Sequence, residues 1–172
     1  KSAIGKSGMQ LEVESLHADP EQPHGVKLSD LHFSVSSGEV LGIAGIAGNG
    51  QGELMGILTG ETGSPASGAI RMFGKEVNTL NPIQRRMLGA VFLPEERLGH
   101  AAVAEMTLSE NTFLTSADQM HFDNHGWINW PAVANFSNHI IDDFDVRTTG
   151  EEALASSLSG GNLQKFIVGR EI

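Results

Sequence analysis

The stretch GIAGIAGNGQGEL, residues 42–54, constrains this chain more than any other. The apolar run VLGIAG leads into it, and Leu54, Met55, Ile57 and Leu58 follow at helical spacing, with Gly60 placed to end the helix. A glycine-rich turn between a buried parallel strand and a helix leaves bare backbone N–H groups at the positive helix end, which favours an anion. Gly45, Gly48, Gly50 and Gly52 allow a close wrap around phosphates without Cβ clashes. Laid on the pattern G-x-x-x-x-G-K-[ST], Gly45 and Gly50 match, but Gln51 stands where lysine belongs. Gly52 takes the hydroxyl position that would ligate Mg²⁺, and Glu53 adds an anion beside it. A lysine about 4 Å from the phosphates would contribute roughly 4 kcal/mol at an effective dielectric near 20, before desolvation. The candidate cofactor-binding set is Gly45, Ala47, Gly48, Asn49, Gly50, Gln51, Gly52 and Glu53. Two rival readings are weighed beside it. Asn49-Gly50 is also a hairpin-turn dipeptide. A dinucleotide fingerprint fits worse, because GNGQGE is not G-x-G-x-x-G and no strand ending in an acid follows about twenty residues on.

Length and charge narrow the classes. The 172 residues allow one domain with a real core, and a net charge of −10 disfavours nucleic acid as a partner. Cysteine is absent, and no apolar run reaches the ~20 residues of a membrane helix or the pattern of a signal peptide. The reading is an α/β chain in four parts: a linker at 1–8, an antiparallel β portion with a phosphate-loop core at 9–95, a helical block at 96–160, and a terminal motif with its helix at 158–172. Alternation predicts strands in MQLEVESL and VKLSDLHFSV, the second keeping one apolar face only with a bulge near Ser29–Asp30. Further strands are predicted in VLGIAG, AIRMFG and GAVFLPEE. Asn81-Pro82 opens a helix, Thr107 and Glu110 form a capping box, 118–130 is irregular, and PAVANFSNHIIDDF is helical.

The second motif is more specific. SLSGGNLQKF predicts a helix capped near Ser159, and Leu158, Ser159, Gly160, Gly161 and Asn162 resemble the signature motif of the ATP-binding cassette of ABC transporters. SVSSGEVLGIAG resembles the strand entering the Walker A loop, FLPEER the Q-loop with Glu95 on the glutamine position, and MTLSENTF the segment after it. The resemblance spans Leu11 to Ile172 and is nearest to the second cassette of sugar- and nucleoside-type importers, where the Walker A loop is degenerate.

That resemblance implies a P-loop NTPase-like cassette core whose C-terminal part is missing. The family's Walker B strand, catalytic glutamate and switch histidine all follow the signature helix, so the chain to Ile172 is expected to hold no catalytic residue and to be inactive alone. ATP with Mg²⁺ is the implied cofactor, bound weakly or not at all here. The implied partners are the first cassette of the same polypeptide, whose ATP site Ser159–Asn162 would complete, and transmembrane permease subunits. The implied location is cytoplasmic, peripheral on the inner face of the cell membrane. No aromatic ring stands in HADPEQPHG to stack on adenine, leaving His17 and His24. The rival function is an interaction module of the same fold that binds no nucleotide. Asp142, Asp143 and Asp145 read as a solvated helix end, and His121, His125 and His139 are too dispersed for zinc. Trp127 and Trp130 are packing anchors or part of a partner-facing surface.

Overall fold

The computed structural model describes residues 8–21, 23–120, 122–124 and 126–172. The predicted linker (apart from Gly8), His121 and His125 lie outside the described residues. The chain forms two compact units, one up to Ala90 and one from Val91 to Ile172.

The first unit is built on an antiparallel sheet of order β2-β1-β3-β4, with β1 at Met9–Ala18, β2 at Leu28–Ser36, β3 at Ser67–Met72 and β4 at Lys75–Glu76. Alternation buries Ile70 and Met72 in β3, while in β1 Val13 and Leu16 are both buried because the strand is irregular between them, with Ser15 at φ +44° and a register shift against β2. The expected bulge is present: Asp30 has φ +52°, and the register shifts where it faces the Leu16–Ala18 segment. Leu28, Leu31, Phe33 and Val35 therefore keep to the more buried side. Phe73 and Gly74, both at positive φ, make the two-residue turn that joins β3 to β4.

Two helices complete this unit, α1 at Gln51–Thr59 and α2 at Pro82–Met87. Gly60 ends α1 in the left-handed conformation, its N–H donating to Gly56 O at 3.0 Å. Asn81 caps α2 in a reciprocal box with Gln84. Arg85, only 1% exposed, was not foreseen as a core residue. Its guanidinium donates to Ile57 O (2.6 Å), Val77 O (2.7 Å), Leu58 O (2.8 Å) and Leu80 O (2.9 Å). Burial pushes its pKa down, while the carbonyls of the last turn of α1 present the negative end of a helix to the charge.

Two predicted strands do not form. Residues 40–46 are irregular, with Val40 94% and Ile46 80% exposed, and residues 90–94 are likewise irregular, with Val91 and Leu93 on the surface. The apolar runs are real, but a buried parallel strand exists only between hydrogen-bonded neighbours. Among the described residues no strand pairs with either segment.

The second unit is helical: α3 at Leu108–Met120, α4 at Trp130–Asp143 and α5 at Gly160–Glu171. Its core gathers Leu108, Ile140, Val146, Ala155, Leu163, Phe166 and Ile167. A Cβ at Gly169 would stand 2.8 Å from Ile140 Cγ2, so glycine sets how closely α5 approaches α4. The Thr107–Glu110 capping box forms, with Thr107 N–H on Glu110 Oε2 at 2.8 Å and Glu110 N–H on Thr107 Oγ1 at 3.1 Å. The segment 118–130 is more ordered than its composition suggests: α3 runs on to Met120, and a hairpin of β5 (Asp123–Asn124) and β6 (Trp127–Ile128) follows.

Candidate functional site

The glycine loop enters a helix, which overturns the hairpin reading of Asn49-Gly50. Asn49 N–H closes a turn onto Ile46 O at 3.2 Å, and Leu54 N–H bonds Gly50 O at 2.9 Å to begin α1. Gly48 and Gly50 have φ of +87° and +97°. At Gly50 a Cβ would also lie 3.1 Å from Leu28 Cδ2, so this position requires glycine for conformation and for space.

Gln51 folds back into its own loop. Its Nε2 donates to Ile46 O at 3.0 Å, and its Oε1 accepts from Asn49 N–H at 3.1 Å. A Cβ placed on Gly45 would collide with this Nε2. The amide thus lies across the concavity of the loop and consumes one N–H a phosphate would need. Glu53 is also engaged: Val26 N–H donates to its Oε1 at 2.8 Å, which holds the carboxyl below its ordinary pKa, against a smaller opposing effect of desolvation. A cavity of about 250 Å³ beside the start of α1 is lined by Pro20, Glu21, Gly25, Gly52, Glu53 and Thr62. Among the described residues two carboxylates and no cation line it. His17 lies in β1 with Nε2 4.0 Å from Asp30 Oδ1, and His24 is exposed. The loop brings positive-φ glycines to the start of α1, yet it carries no positive side chain and no hydroxyl for Mg²⁺. Triphosphate with Mg²⁺ does not fit these residues as they stand.

In the second unit, α5 starts at Gly160 with Ser159 at the cap position. The expected cap bond from the serine side chain is not made. Instead Asn162 Nδ2 donates to Ser159 Oγ at 3.0 Å, and Asn162 Oδ1 accepts from Arg147 N–H at 3.0 Å. Ser159, Gly160 and Gly161 are exposed, while Leu158 packs against the core cluster. With its oxygen accepting from Asn162, the Ser159 hydroxyl keeps its proton to donate outward. The first N–H groups of α5 have no intrahelical partners and no side-chain cap. Lys165 is turned aside to Asp145, bonding its O at 2.9 Å and Oδ2 at 3.0 Å, which lowers the Asp145 pKa. The acidic trio therefore ends α4 with one member paired.

Glu95, expected on the Q-loop glutamine position, is exposed. Sequence reasoning missed the groups that fix the chain beyond it. Asn111 is fully buried; its Nδ2 donates to Val103 O, Met106 O and Thr107 O at 2.9–3.2 Å, and its Oδ1 accepts from Val103 N–H at 2.8 Å. Arg170, buried beside Glu171, donates to Ala101 O at 2.8 Å and Asn111 O at 3.2 Å. A polar residue on the inward face of a helix was the one available signal. Trp127 is 81% exposed, whereas Trp130 packs on Phe113 at 5.7 Å between ring centres. Among the described residues no helix is long and apolar enough to cross a membrane.

Comparison with known proteins gives these geometries a context. A family model described as ABC transporter matches residues 28–172. The chain is 35% identical over 172 residues to the nucleoside import ATP-binding protein NupA of Lactococcus lactis, covering 100% of this chain and 34% of that protein. It is 38% identical over 143 residues to the guanosine import ATP-binding protein NupO of Bacillus subtilis, covering 83% and 28%. Over 161 residues it is 32% identical to a ribose import ATP-binding protein, RbsA, of Lactococcus lactis, covering 94% and 32%. The chain thus spans about a third of the length of the curated relatives it matches. Among solved structures, an ATP-binding cassette of an ABC transporter matches with TM-score 0.71 at 19% identity, covering 96% of this chain and 65% of that one. A dimeric bacterial ABC transporter cassette matches with TM-score 0.71 at 15% identity, covering 94% and 68%. The expected fold class, an α/β cassette with an antiparallel β portion and a helical block, is the fold of these cassettes.

Proposed function

The chain belongs to the ABC transporter family, and on that premise we propose that it is the second ATP-binding cassette of an importer of sugars or nucleosides. The relatives named for nucleoside, guanosine and ribose import support that range of cargo. In this reading the two glycine-lined helix starts have different tasks. Gly45–Glu53 is a degenerate Walker A loop that binds ATP and Mg²⁺ weakly or not at all. Ser159–Asn162 is donated to an ATP site whose triphosphate is held by the first cassette of the same polypeptide.

One contrast carries the reading. Gln51 spends its amide on its own loop, at 3.0 and 3.1 Å, while Ser159, Gly160 and Gly161 stand exposed at an uncapped helix start. Preorganised donors at a helix N-terminus suit charge that develops on a terminal phosphate. Asn162 holds the Ser159 oxygen, which leaves the serine O–H free to donate beside the uncapped first turn of α5. No proton is moved by these groups; their work is binding and orientation. Permease subunits would receive the motion on the inner face of the membrane, and the net charge of −10 leaves nucleic acid outside the reading.

The test is Ser159→Glu in the intact transporter. A bulky anion among the donors is expected to reduce ATP turnover by about 100-fold, the scale of losing preorganised oxyanion donors. Turnover equal to that of the unaltered protein would sink the donated-signature reading. It would leave the rival, a module that holds partners without nucleotide.

A further inference from the structure

We propose that Arg97 is a positioning residue that ties the Glu95–Arg97 turn to the first turn of the signature helix. This rests on the donated-signature reading above, and it adds a residue and a route of control to that site.

The turn itself is stiff. Ala101 N–H bonds Glu96 O at 3.1 Å, Gly99 N–H bonds Ala102 O at 2.9 Å, and Gly99 adopts φ +94° between them. Both ends of α5 hold this short segment. At the far end the buried Arg170 donates to Ala101 O at 2.8 Å and, through Asn111 O, to α3. At the near end Arg97 Nη1 lies 3.3 Å from Gly160 O and 3.5 Å from Gln164 Oε1. The two contacts differ in kind. Arg170 is shielded and backed by Glu171, whereas Arg97 is exposed and its contacts are long. The inner tie is buried and short, and the outer one is exposed and long.

Space and charge both make the outer tie specific. A Cβ at Gly160 would stand 3.3 Å from Arg97 Nη1 and 3.6 Å from its Cζ, so the absence of a side chain there admits the guanidinium. A cation beside the first turn of a helix opposes the helix dipole. An anion brought to Ser159–Gly161 reverses that sign. The Arg97 contact and anion binding at the signature therefore favour each other, and this coupling is reciprocal. A displacement of the Glu95–Arg97 turn shifts the start of α5, and an occupied signature holds the turn in place.

Arg97→Ala and Arg97→Lys in the full-length protein within its intact transporter test this. The alanine variant is expected to lose about tenfold in kcat for ATP with KM within about twofold, and lysine, which restores charge without the fork, to recover part of it. Amide hydrogen exchange across residues 158–166 is expected to quicken in the alanine variant, while a folding defect would also quicken exchange across α4. Unchanged kcat, or unchanged exchange confined to 158–166, overturns the tie. Ser159→Glu run in parallel separates the two claims. If that variant turns over normally the signature reading fails, whereas normal Arg97→Ala turnover beside a dead Ser159→Glu refutes only the tie.

Discussion

Replacing Gln51 by lysine should convert a self-occupied loop into one that attracts a triphosphate. The wild-type amide makes two hydrogen bonds within the loop, to Ile46 O at 3.0 Å and from Asn49 N–H at 3.1 Å. Both are solvent-exposed, so breaking them costs about 0.5 kcal/mol each, at the low end for such bonds. A cation about 4 Å from phosphate oxygens is worth roughly 4 kcal/mol at an effective dielectric near 20, and desolvation together with side-chain ordering removes about half. Adding the Asn49 N–H, freed of one of its two acceptors and able to donate to a charged oxygen, gives a net gain of about 2 kcal/mol, a factor of about 30 in affinity. Gly52 still offers no Mg²⁺ ligand, and Glu53 stays pinned to Val26. Affinity should therefore stop well short of an intact phosphate loop. Calorimetric titration of MgATP into wild type, Gln51→Lys and Gln51→Ala separates the contributions. Alanine removes the fold-back without adding charge and should tighten binding by only a few-fold. The lysine effect should shrink as salt rises from 50 to 300 mM, since Debye screening grows over that range. Equal affinities for all three proteins would refute both the electrostatic reasoning and the role of the folded-back amide.

Two further outcomes follow from the geometry. Asn111→Ala strands Val103 N–H and leaves Val103 O, Met106 O and Thr107 O with their backbone donors alone, and should cost about 2 kcal/mol, read as a fall in the denaturant midpoint with little change in slope. Glu53 has its folded-state pKa lowered by the Val26 N–H, so its contribution is fully present above the ordinary value of 4.5 and is lost as pH falls through the lowered value. Glu53→Gln should lower stability at neutral pH, flatten the acid limb below about 4.5 and converge with the unaltered protein at low pH, as thermal melts at a series of pH values would show.

Local patterns carried far. Alternation in β1 and β2, the bulge at Asp30, the boxes at Asn81–Gln84 and Thr107–Glu110 and the apolar face of α4 are all written within a few residues of where they act. So is the beginning of α5 after Ser159. Interactions with distant partners were not legible in this way. VLGIAG and GAVFLPEE have the composition of central strands, but strand formation depends on neighbours that no local window contains. Arg85 reaches back 28 residues to Ile57, and Arg170 reaches back 69 to Ala101. In sequence each is only another surface-prone cation.

The same division runs through the two glycine loops. By itself the sequence determined that Gln51 brings no charge to a phosphate loop and that Ser159–Gly161 begins a helix, because residue identity sets charge and local backbone preference. Only the tertiary structure decided that the Gln51 amide lies back across Gly45 and that Arg97 rests on Gly160. Those are matters of which groups meet in space, and chain folding, not composition, brings them together.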